Sequence, residues 1–343
     1  PMINKVMNHL ISVCSVIALT LSLASCSPQP EYVELNGLTQ GTTYHIVVEK
    51  TPGLDIMALR QDIEELFAVV DNSLSIYNDS SLISAINANR SDRTDTLFSE
   101  VFRLASEVSS ESGGLFDVTI GPLVKAWGFG PDAMKRFDPL MLDSLLALVG
   151  MNKVRLEGDR IIKADPAMFI DMNAIAKGYS VDLAVDLIVG RGIKECLVEV
   201  GGEIRTAGDK NGMGWKVGID TPADGNFTPG TDIQATIRLD DRALATSGNY
   251  RKFYMENGLK YSHTIDPRTG YPVRHTLLSA TIIAPTCAVA DAWATACMVG
   301  GKERAIDFIE SHDFLEGYLV YSDETGAMKS WASEGIRKII LER

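Results

Sequence analysis

The sequence has too few basic residues to balance its acidic ones. It contains 32 Lys and Arg against 45 Asp and Glu, so the formal net charge of its 343 residues is −13. A surface with this excess of negative charge repels phosphate backbones, which excludes nucleic acid as an expected partner. Apolar residues make up 45% and charged residues 22% of the chain, which is the balance of a folded globular protein.

Cysteine is scarce, and no group of Cys and His residues has the spacing of a zinc site. Of the five cysteines, Cys14 and Cys26 belong to the N-terminal segment, which leaves Cys196, Cys287 and Cys297. All three lie among apolar residues, so we expect buried free thiols. An odd number of cysteines does not favour a disulfide framework.

The apolar run at the N-terminus is too short to cross a membrane. Residues 10–23 are nearly all apolar, whereas a spanning helix needs about 20 residues. Lys5 before the run and the small residues after it indicate a signal peptide. The ending Leu-Ala-Ser-Cys resembles the bacterial lipobox, in which Cys26 becomes the lipidated first residue; the alternative is an ordinary signal peptide with an incidental cysteine. We predict a signal peptide over residues 1–25, lipid on Cys26 and a polar tether over 26–36.

The rest of the sequence contains no exact repeat, low-complexity linker or change of composition that would separate two domains, so residues 37–343 are expected to form one domain. Short strands dominate after residue 153, and "KVRLEGDRIIKA", "ECLVEVGGEIRTAG" and "ATIRLDDRALATSG" are each predicted to form a hairpin. Apolar residues at helical spacing predict helices over 174–189 and 287–299. This pattern predicts an α+β fold of antiparallel sheets, joined by hairpins, with helices packed on them.

Asp291 and Thr295 are four residues apart in a predicted helix, so their side chains share one face. The rest of that helix is mostly Ala, Val, Trp, Met and Cys, and burying an unpaired carboxylate among such residues is costly. A position in the N-terminal half of a helix offsets only about 0.3–1 kcal/mol of that cost. Because carboxylate and hydroxyl oxygens suit a hard cation such as Mg²⁺, the pair is a candidate metal site.

A second candidate site begins at Asp171, in "DMNAIAKGYSVDLAVDLI". Asp171 precedes the predicted helix, where it would be suited to a plain N-cap. The start of a helix also presents free N–H groups and the positive end of its dipole to an anion, and Lys177 adds positive charge one turn later. Both interpretations, a cap alone and a phosphate site, stay open at this point.

Two further segments combine turn residues with charged groups. In "GGLFDVTIGPLVKAWGFG", Asp117 follows an aromatic residue, and the alternative to a functional site is a buried loop shaped by its glycines. In "YSHTIDPRTGYPV", residues 261–273, Asp266, Pro267 and Gly270 are ordinary turn residues. Turn chemistry does not explain His263, for which a core histidine with a satisfied hydrogen bond is the alternative to a catalytic one.

Together these segments resemble the ApbE family over essentially the whole mature chain, in order and in spacing. The family consists of FAD-dependent protein FMN transferases, which are lipoproteins of the bacterial envelope. The resemblance implies an ApbE-like fold and a Mg²⁺-dependent transfer of FMN from FAD to a threonine hydroxyl of an acceptor protein, with release of AMP. The matching stretches are "GTTY", "LSIYNDSSLISAIN", "GLFDVTIGPLVKAWGFG", "DMNAIAKGYSVD", "VEVGGEI", "ATSGNY", "HTIDPRTGYPV" and "ADAWATA".

The resemblance also implies roles for individual residues. Asp291 and Thr295 match the family's metal positions, together with the main-chain oxygen of Ala174. His263 matches a histidine near the phosphates, and because its pKa lies near neutrality it is the expected acceptor of the threonine proton; with Asp291 it forms the expected catalytic pair. The implied FAD contacts are Gln40, Tyr77, Leu115, Phe116, Asp117, Asp171, Lys177 and Ile265.

The sequence departs from the family pattern at two positions. Gln40 stands where many members carry a flavin-contacting methionine. Ala294 stands where some members have a second acid, so the metal site depends on Asp291 for its charge. The implied acceptors are flavin subunits of Rnf- or Nqr-type complexes. The implied location is the bacterial cell envelope, at the periplasmic face of the inner membrane. The rival functions are an FAD pyrophosphatase, which uses water as the acceptor, and a non-catalytic flavin-binding lipoprotein.

Overall fold

The computed structural model describes residues 30–129, 137–222, 230–249, 253–256, 259–262 and 264–342. Residues Val33–Arg343 form one compact unit. The predicted signal peptide, Cys26 and His263 lie outside the described residues, so the predictions made for them stay predictions. Among the helices that are described, none combines the length and the apolar character needed to cross a membrane.

The helices differ in how their first turns are satisfied. Asp55 caps α1 (Ile56–Leu74) by accepting from two main-chain amides, and Asp95 caps α3 (Thr96–Glu111) by accepting from that of Phe98. The residues that precede α6 (Ala176–Gly190) and α7 (Cys287–Ser311) provide no such side-chain bond. The described helices are α1 (Ile56–Leu74), α2 (Leu82–Asn87), α3 (Thr96–Glu111), α4 (Gly121–Ala126), α5 (Leu142–Ala147), α6 (Ala176–Gly190), α7 (Cys287–Ser311) and α8 (Glu334–Ile339).

Antiparallel strands form the framework, with an eight-stranded sheet in the order β1-β2-β5-β6-β9-β12-β13-β14 and a three-stranded sheet in the order β15-β8-β7. Two hairpins, β3-β4 and β10-β11, stand apart from both. The predicted α+β class is confirmed. The strands are β1 (Tyr32–Thr39), β2 (Thr42–Glu49), β3 (Val154–Glu157), β4 (Arg160–Lys163), β5 (Cys196–Val200), β6 (Glu203–Ala207), β7 (Lys216–Asp220), β8 (Ile233–Arg238), β9 (Ala243–Gly248), β10 (Phe253–Glu256), β11 (Leu259–Ser262), β12 (Leu277–Ala284), β13 (Glu316–Ser322), β14 (Met328–Ala332) and β15 (Ile340–Glu342).

Two of the three predicted hairpins form as expected. β3 pairs with β4, and β5 pairs with β6 so that Val200 faces Glu203 across a two-residue turn. The third prediction was wrong, because β8 and β9 do not pair with each other. β8 pairs with β7 and β15, whereas β9 pairs with β6 and β12. The intervening residues carry the chain from one sheet to the other, and Leu239 and Asp240 bind the main chain of Trp215 there.

Strand β1 takes in residues that the sequence analysis assigned to the tether. It begins at Tyr32 and is the edge strand next to β2, so residues 32–36 belong to the sheet. The reason is an apolar alternation that the prediction overlooked, in which Leu35 is buried and the side chains on either side of it are exposed. An edge strand with one apolar face is stabilised by packing that face on the core.

Helices α6 and α7 bring two apolar clusters together. One cluster joins α3 and α7 to the strands of the large sheet and includes Phe98, Trp293 and Leu319. The other joins α1 and α6 to β2 and β5 and includes Phe67 and Val185. The predicted helices are confirmed in type, but α6 begins two residues after the predicted start. Helix α7 continues to Ser311 past a break at Gly301, where φ is 79°.

Candidate functional site

The candidate site lies where the first turns of α6 and α7 meet. A Cβ atom at Gly178 would lie 2.4 Å from the main-chain oxygen of Cys287 and 2.9 Å from the Cα of Ala288. Only glycine therefore permits the backbones of the two helices to approach so closely. This approach brings the side chains near the start of each helix within reach of the other.

The two helices cap each other. Asp291 of α7 accepts a hydrogen bond from the Gly178 amide of α6 at 3.1 Å. Asp182 of α6 accepts from the amides of Cys287 and Ala288 in α7, at 2.8 and 2.9 Å. The first amides of a helix have no partner within it. Each aspartate therefore supplies a hydrogen-bond acceptor that the residues before the other helix do not provide. We call this arrangement the reciprocal caps.

Asp291 is the buried acid that the sequence analysis singled out. Its side chain is in the core, with 4% exposure. Burial raises the pKa of its carboxyl above the ordinary value, although the Lys177 ammonium and the Gly178 amide both lower it. The sequence predicted that such a carboxylate must be paired or bound to a cation, and the structure places the Lys177 ammonium nearby and adds a hydrogen bond from the Gly178 amide.

Lys177 and Glu203 form the shortest ion pair of this region, with 2.5 Å between Nζ and Oε1. Glu203 is the first residue of β6 and is 5% exposed. Burial raises the pKa of Glu203 to about 7 against the lowering effect of Lys177. Burial lowers the pKa of Lys177, but the carboxylates of Glu203 and Asp291 outweigh it, so that pKa lies above its ordinary value.

Thr295 and Ala174 offer neutral oxygen atoms near the same helices. Thr295 is half-buried one turn after Asp291 on α7, and its hydroxyl lies 3.3 Å from that of Ser247 in β9. In a regular helix the Gly178 amide would bind the carbonyl of Ala174, four residues earlier. Since Asp291 takes that amide, the Ala174 carbonyl is released from this bond.

The donor set fits a hard cation better than a soft one. A buried carboxylate, a hydroxyl and a main-chain carbonyl are the oxygen ligands that Mg²⁺ takes, usually with phosphate and water as further ligands. Within the described part of the chain, no three His, Cys, Asp or Glu side chains are grouped as a metal site. A cation here would therefore depend on one or two carboxylates and on oxygens from outside the protein.

Asp171 and Tyr77 lie together in front of α6. Asp171 is not a helix cap, because α6 begins at Ala176 and Ile175 holds the cap position. Its carboxylate instead accepts from the Asn173 amide at 2.9 Å, in a local turn. Tyr77 is 62% exposed, and partial burial and the charge of Asp171 together raise its pKa.

In the segment from Leu115 to Asp117, the backbone is better suited than the side chains to contact a ligand. Leu115 and Phe116 are each 1% exposed and belong to the core. The Asp117 carboxylate accepts from the amides of Thr119 and Met151, at 2.7 and 3.1 Å. Burial raises the pKa of Asp117 despite these bonds. The bonds support the predicted alternative of a shaped loop, in which Asp117 fixes the loop geometry.

Gln40 contacts α6, whereas Ile265 belongs to a separate apolar cluster with Leu123 and Trp127. Gln40 is in the turn between β1 and β2 with a positive φ of 49°, and its Oε1 lies 3.4 Å from the hydroxyl of Ser180, one turn after Lys177 on α6. Ile265 is 2% exposed and forms an isolated bridge with Pro272. The indole of Trp127 donates to the Gly270 carbonyl at 2.7 Å and so fixes the turn that follows His263.

A cavity of 890 Å³ is lined by α3, the start of β3 and the turn at Pro267. Asp117 lines it, whereas Lys177, Glu203 and Asp291 do not. The charged cluster at the start of α6 is therefore the better candidate for chemistry, because it combines burial with opposed charges.

Sequence reasoning missed two residues of this cluster, Glu203 and Asp182. Asp182 occurs on an otherwise apolar stretch of α6, which is the same signal that identified Asp291. Glu203 gave no such signal, because its burial follows from the pairing of β6 with β5 and from the packing of α6 over the strand.

Comparisons with known proteins agree with this architecture. The model of the ApbE family matches residues 40–319. The FAD:protein FMN transferase of Vibrio cholerae is 34% identical over 331 residues, covering 94% of this chain and 97% of the relative. That of Haemophilus influenzae is 33% identical, covering 93% and 95%.

Solved structures give the same result. The flavin transferase ApbE from Vibrio cholerae superposes with a TM-score of 0.82 at 33% identity, covering 90% of this chain and 99% of that one. The apo form of the Pseudomonas stutzeri flavinyl transferase ApbE gives a TM-score of 0.81 at 29% identity, covering 92% and 98%. With a family match over most of its length and relatives matched nearly end to end, this chain belongs to the ApbE family.

Proposed function

We propose that this protein is an FAD:protein FMN transferase, which moves the FMN part of FAD onto an acceptor flavoprotein. Family membership and the named activity of its relatives support the reaction class. The observation that carries the proposal is the cluster at the start of α6, where Lys177, Glu203 and Asp291 bring opposed charges together in a largely buried site. Such a cluster suits a pyrophosphate and its counter-ion.

The reaction breaks the phosphoanhydride bond of FAD and forms a phosphoester bond to the acceptor. The hydroxyl oxygen of an acceptor threonine bonds to the phosphorus atom of the FMN half, and the bond from that phosphorus to the bridging oxygen breaks. The bridging oxygen leaves with AMP, and the threonine proton passes to a base. His263, although it lies outside the described residues, is the proposed base, because an imidazole titrates near neutral pH.

The proposed metal ligands are Asp291, Thr295 and the main-chain oxygen of Ala174. Mg²⁺ bound there would neutralise the charge that develops on the phosphate oxygens. Asp291 contributes the anionic ligand, and its bond to the Gly178 amide fixes the direction in which the carboxylate points. Lys177 adds a second positive charge beside the phosphates.

The further contacts to FAD are proposed from the family resemblance. Tyr77 offers an exposed aromatic face, and Asp171 lies beside it at the approach to α6. The buried side chains of Leu115, Phe116 and Ile265 leave their backbones as the groups suited to contact FAD. Gln40 and Asp117 complete the proposed set.

The acceptor and the location are proposed on the resemblance alone. We propose flavin subunits of Rnf- or Nqr-type complexes as acceptors, and anchoring through lipid on Cys26 at the periplasmic face of the inner membrane. A lipid anchor would restrict the enzyme to acceptors at the same membrane surface.

The test combines the mature protein, FAD, Mg²⁺ and a purified acceptor domain. Flavin fluorescence that stays on the acceptor in a denaturing gel, with one AMP released per flavin attached, is the expected result. AMP and free FMN without a labelled acceptor would identify an FAD pyrophosphatase. Bound FAD that stays intact in Mg²⁺ would identify a flavin-binding lipoprotein. Replacing the acceptor threonine by valine is the matched control and should abolish labelling.

A further inference from the structure

Glu203 is held in an unusual position for a carboxylate. It follows Gly201 and Gly202, which have positive φ values of 64° and 105°, and these turn the chain so that β6 begins beneath α6. The side chain is buried and one of its oxygens, Oε1, lies 2.5 Å from Lys177 Nζ. The other oxygen, Oε2, is buried and has no hydrogen-bond partner among the described residues.

A purely structural role does not account for this position. Burying an ion pair rarely stabilises a fold relative to apolar side chains of similar volume, and a buried oxygen without a partner adds a further cost. Groups retained at such cost are frequently found at functional sites. The explanation has to come from what Glu203 does to the charges beside it.

Two carboxylates compete for a single ammonium. Lys177 is attracted electrostatically by both Glu203 and Asp291, but it forms its ion pair with Glu203. Asp291 accepts instead from the neutral Gly178 amide. Without Glu203, the nearest acid for the Lys177 ammonium would be Asp291, and a salt bridge there would occupy the carboxylate that the metal needs.

We propose that Glu203 is a positioning residue of the transfer site, which holds the Lys177 ammonium toward the phosphates of FAD and keeps it away from Asp291. The proposal deepens the proposed function and rests on the assignments of Lys177 and Asp291 made there. It also accounts for a metal site in which a single acid, Asp291, contributes the charge, because a neighbouring ammonium would otherwise cancel it.

The test measures Mg²⁺-dependent FAD binding without any acceptor, from the change in flavin fluorescence. The variants are Glu203→Gln, Lys177→Met and their combination. Glu203→Gln should raise the Mg²⁺ concentration for half-saturation about 10- to 100-fold, as loss of a group supporting a metal ligand usually does. Adding Lys177→Met should return that concentration to within about threefold of the wild-type value, because no ammonium is left to occupy Asp291. The double variant should still bind FAD itself more weakly than the wild type does.

Recovery of metal affinity by a second substitution is the decisive observation, provided that thermal unfolding in a chelator shows Glu203→Gln to be folded at the assay temperature, because removing Lys177 would also relieve an unpaired ammonium. Glu199→Gln is the matched control on the same hairpin, because glutamine there can still accept from the Gly202 amide; it should change the half-saturation by less than about twofold. Glu203→Asp, which keeps the charge, should lie between wild type and Glu203→Gln.

The outcomes distinguish a failure of this inference from a failure of the proposed function on which it rests. If the wild type binds FAD with no dependence on Mg²⁺, the proposed metal site is wrong, and this inference is wrong with it. If the wild type depends on Mg²⁺ but Glu203→Gln does not differ from it, or the double variant is as impaired as Glu203→Gln, only the role of Glu203 is overturned.

Discussion

In the proposed mechanism, Asp291 combines two tasks that place opposite demands on a carboxylate. As a cap for α6 it needs only an oxygen that accepts from Gly178, which an amide side chain can also provide. As a metal ligand it needs its negative charge, and burial opposes that charge by raising the pKa of the group. A substitution that keeps the shape and removes the charge therefore separates the two tasks.

We predict that Asp291→Asn lowers FMN transfer by at least about 100-fold while the folded state survives. Without metal, its free energy of unfolding should equal or exceed that of the wild type, because no charge is buried. The measurements are FMN transfer as a function of Mg²⁺ concentration and thermal unfolding in a chelator.

Thr295→Val is the companion variant, since it removes a neutral ligand and keeps the volume. Its loss of transfer should be smaller and partly restored by higher Mg²⁺. Wild-type metal dependence in Asp291→Asn would show that the metal binds elsewhere.

At the scale of single residues, the sequence was informative where a polar or charged residue stood among apolar ones. An acid on an apolar helix identified Asp291, and the same argument, applied to α6, would have found Asp182. Glu203 could not be found in this way, because the residues around it in the chain are unremarkable for a strand. Its burial and its contact with Lys177 depend on how a helix and a hairpin pack, which local sequence does not determine.

At the scale of elements, Gly178 sets the distance between α6 and α7. We predict that Gly178→Ala destabilises the protein by about 1–3 kcal/mol, the usual cost of overpacking, because the added Cβ meets main-chain atoms of Cys287 and Ala288 that cannot rotate away. Urea unfolding of the variant against wild type measures this loss.

Gly190 provides the control within the same helix, since a Cβ there has nothing within 4 Å. Gly190→Ala should leave stability unchanged or raise it by up to about 1 kcal/mol, because alanine favours helix. Equal effects of the two substitutions would refute the close approach as the reason for Gly178.

Asp182 links the reciprocal caps to pH. Burial raises its pKa to about 6, above the value of about 3.9 for an unfolded aspartate. The native state therefore binds the proton more tightly, so this contribution to stability is fully present below about pH 4 and is lost as pH rises through about 6. Asp182→Asn has no such contribution.

We predict that the unfolding free energy of the wild type, relative to Asp182→Asn, increases by about 2–3 kcal/mol between pH 7 and pH 4. Urea titrations of both proteins across that range measure it. Asp182 and the more exposed Asp186 both lie 3.1 Å from the Arg205 guanidinium. As a control, Asp186→Asn should change stability by less than about 1 kcal/mol. A pH-independent difference for Asp182→Asn would contradict the raised pKa.

Element boundaries and pairings were less predictable than element types. Turn chemistry identified β3-β4 and β5-β6, because glycines at these turns permit one tight connection. The same reasoning failed for β8 and β9, where Asp240 and Asp241 resemble a hairpin turn but connect two sheets. The alternation of apolar and polar residues along a strand does not specify which strand it pairs with. The pairing depends on how the sheets pack.

At the scale of the whole molecule, the proposed lipid anchor would hold the enzyme at a membrane surface. We predict that Cys26→Ser leaves the protein unlipidated and releases it from membranes, because lipobox processing requires the thiol. Mass spectrometry of the membrane-extracted wild type should find acyl chains on Cys26. The control is the FMN transfer rate of the variant on a soluble acceptor domain, which should equal that of the wild type; an unmodified Cys26 in membrane extracts would refute the anchor.

The reciprocal caps also make the fold cooperative. Helix α6 contributes Val181 and Val185 to one apolar cluster, and α7 contributes Trp293 and Met298 to the other. Loss of α7 would leave the Gly178 amide without its partner, and loss of α6 would leave the amides of Cys287 and Ala288 without theirs, so we expect the two clusters to unfold together. Hydrogen exchange should therefore give the slowest amides of α1 and α3 the same opening free energy. For an enzyme held together in this way, we expect the proposed metal site to be lost only when the whole domain unfolds.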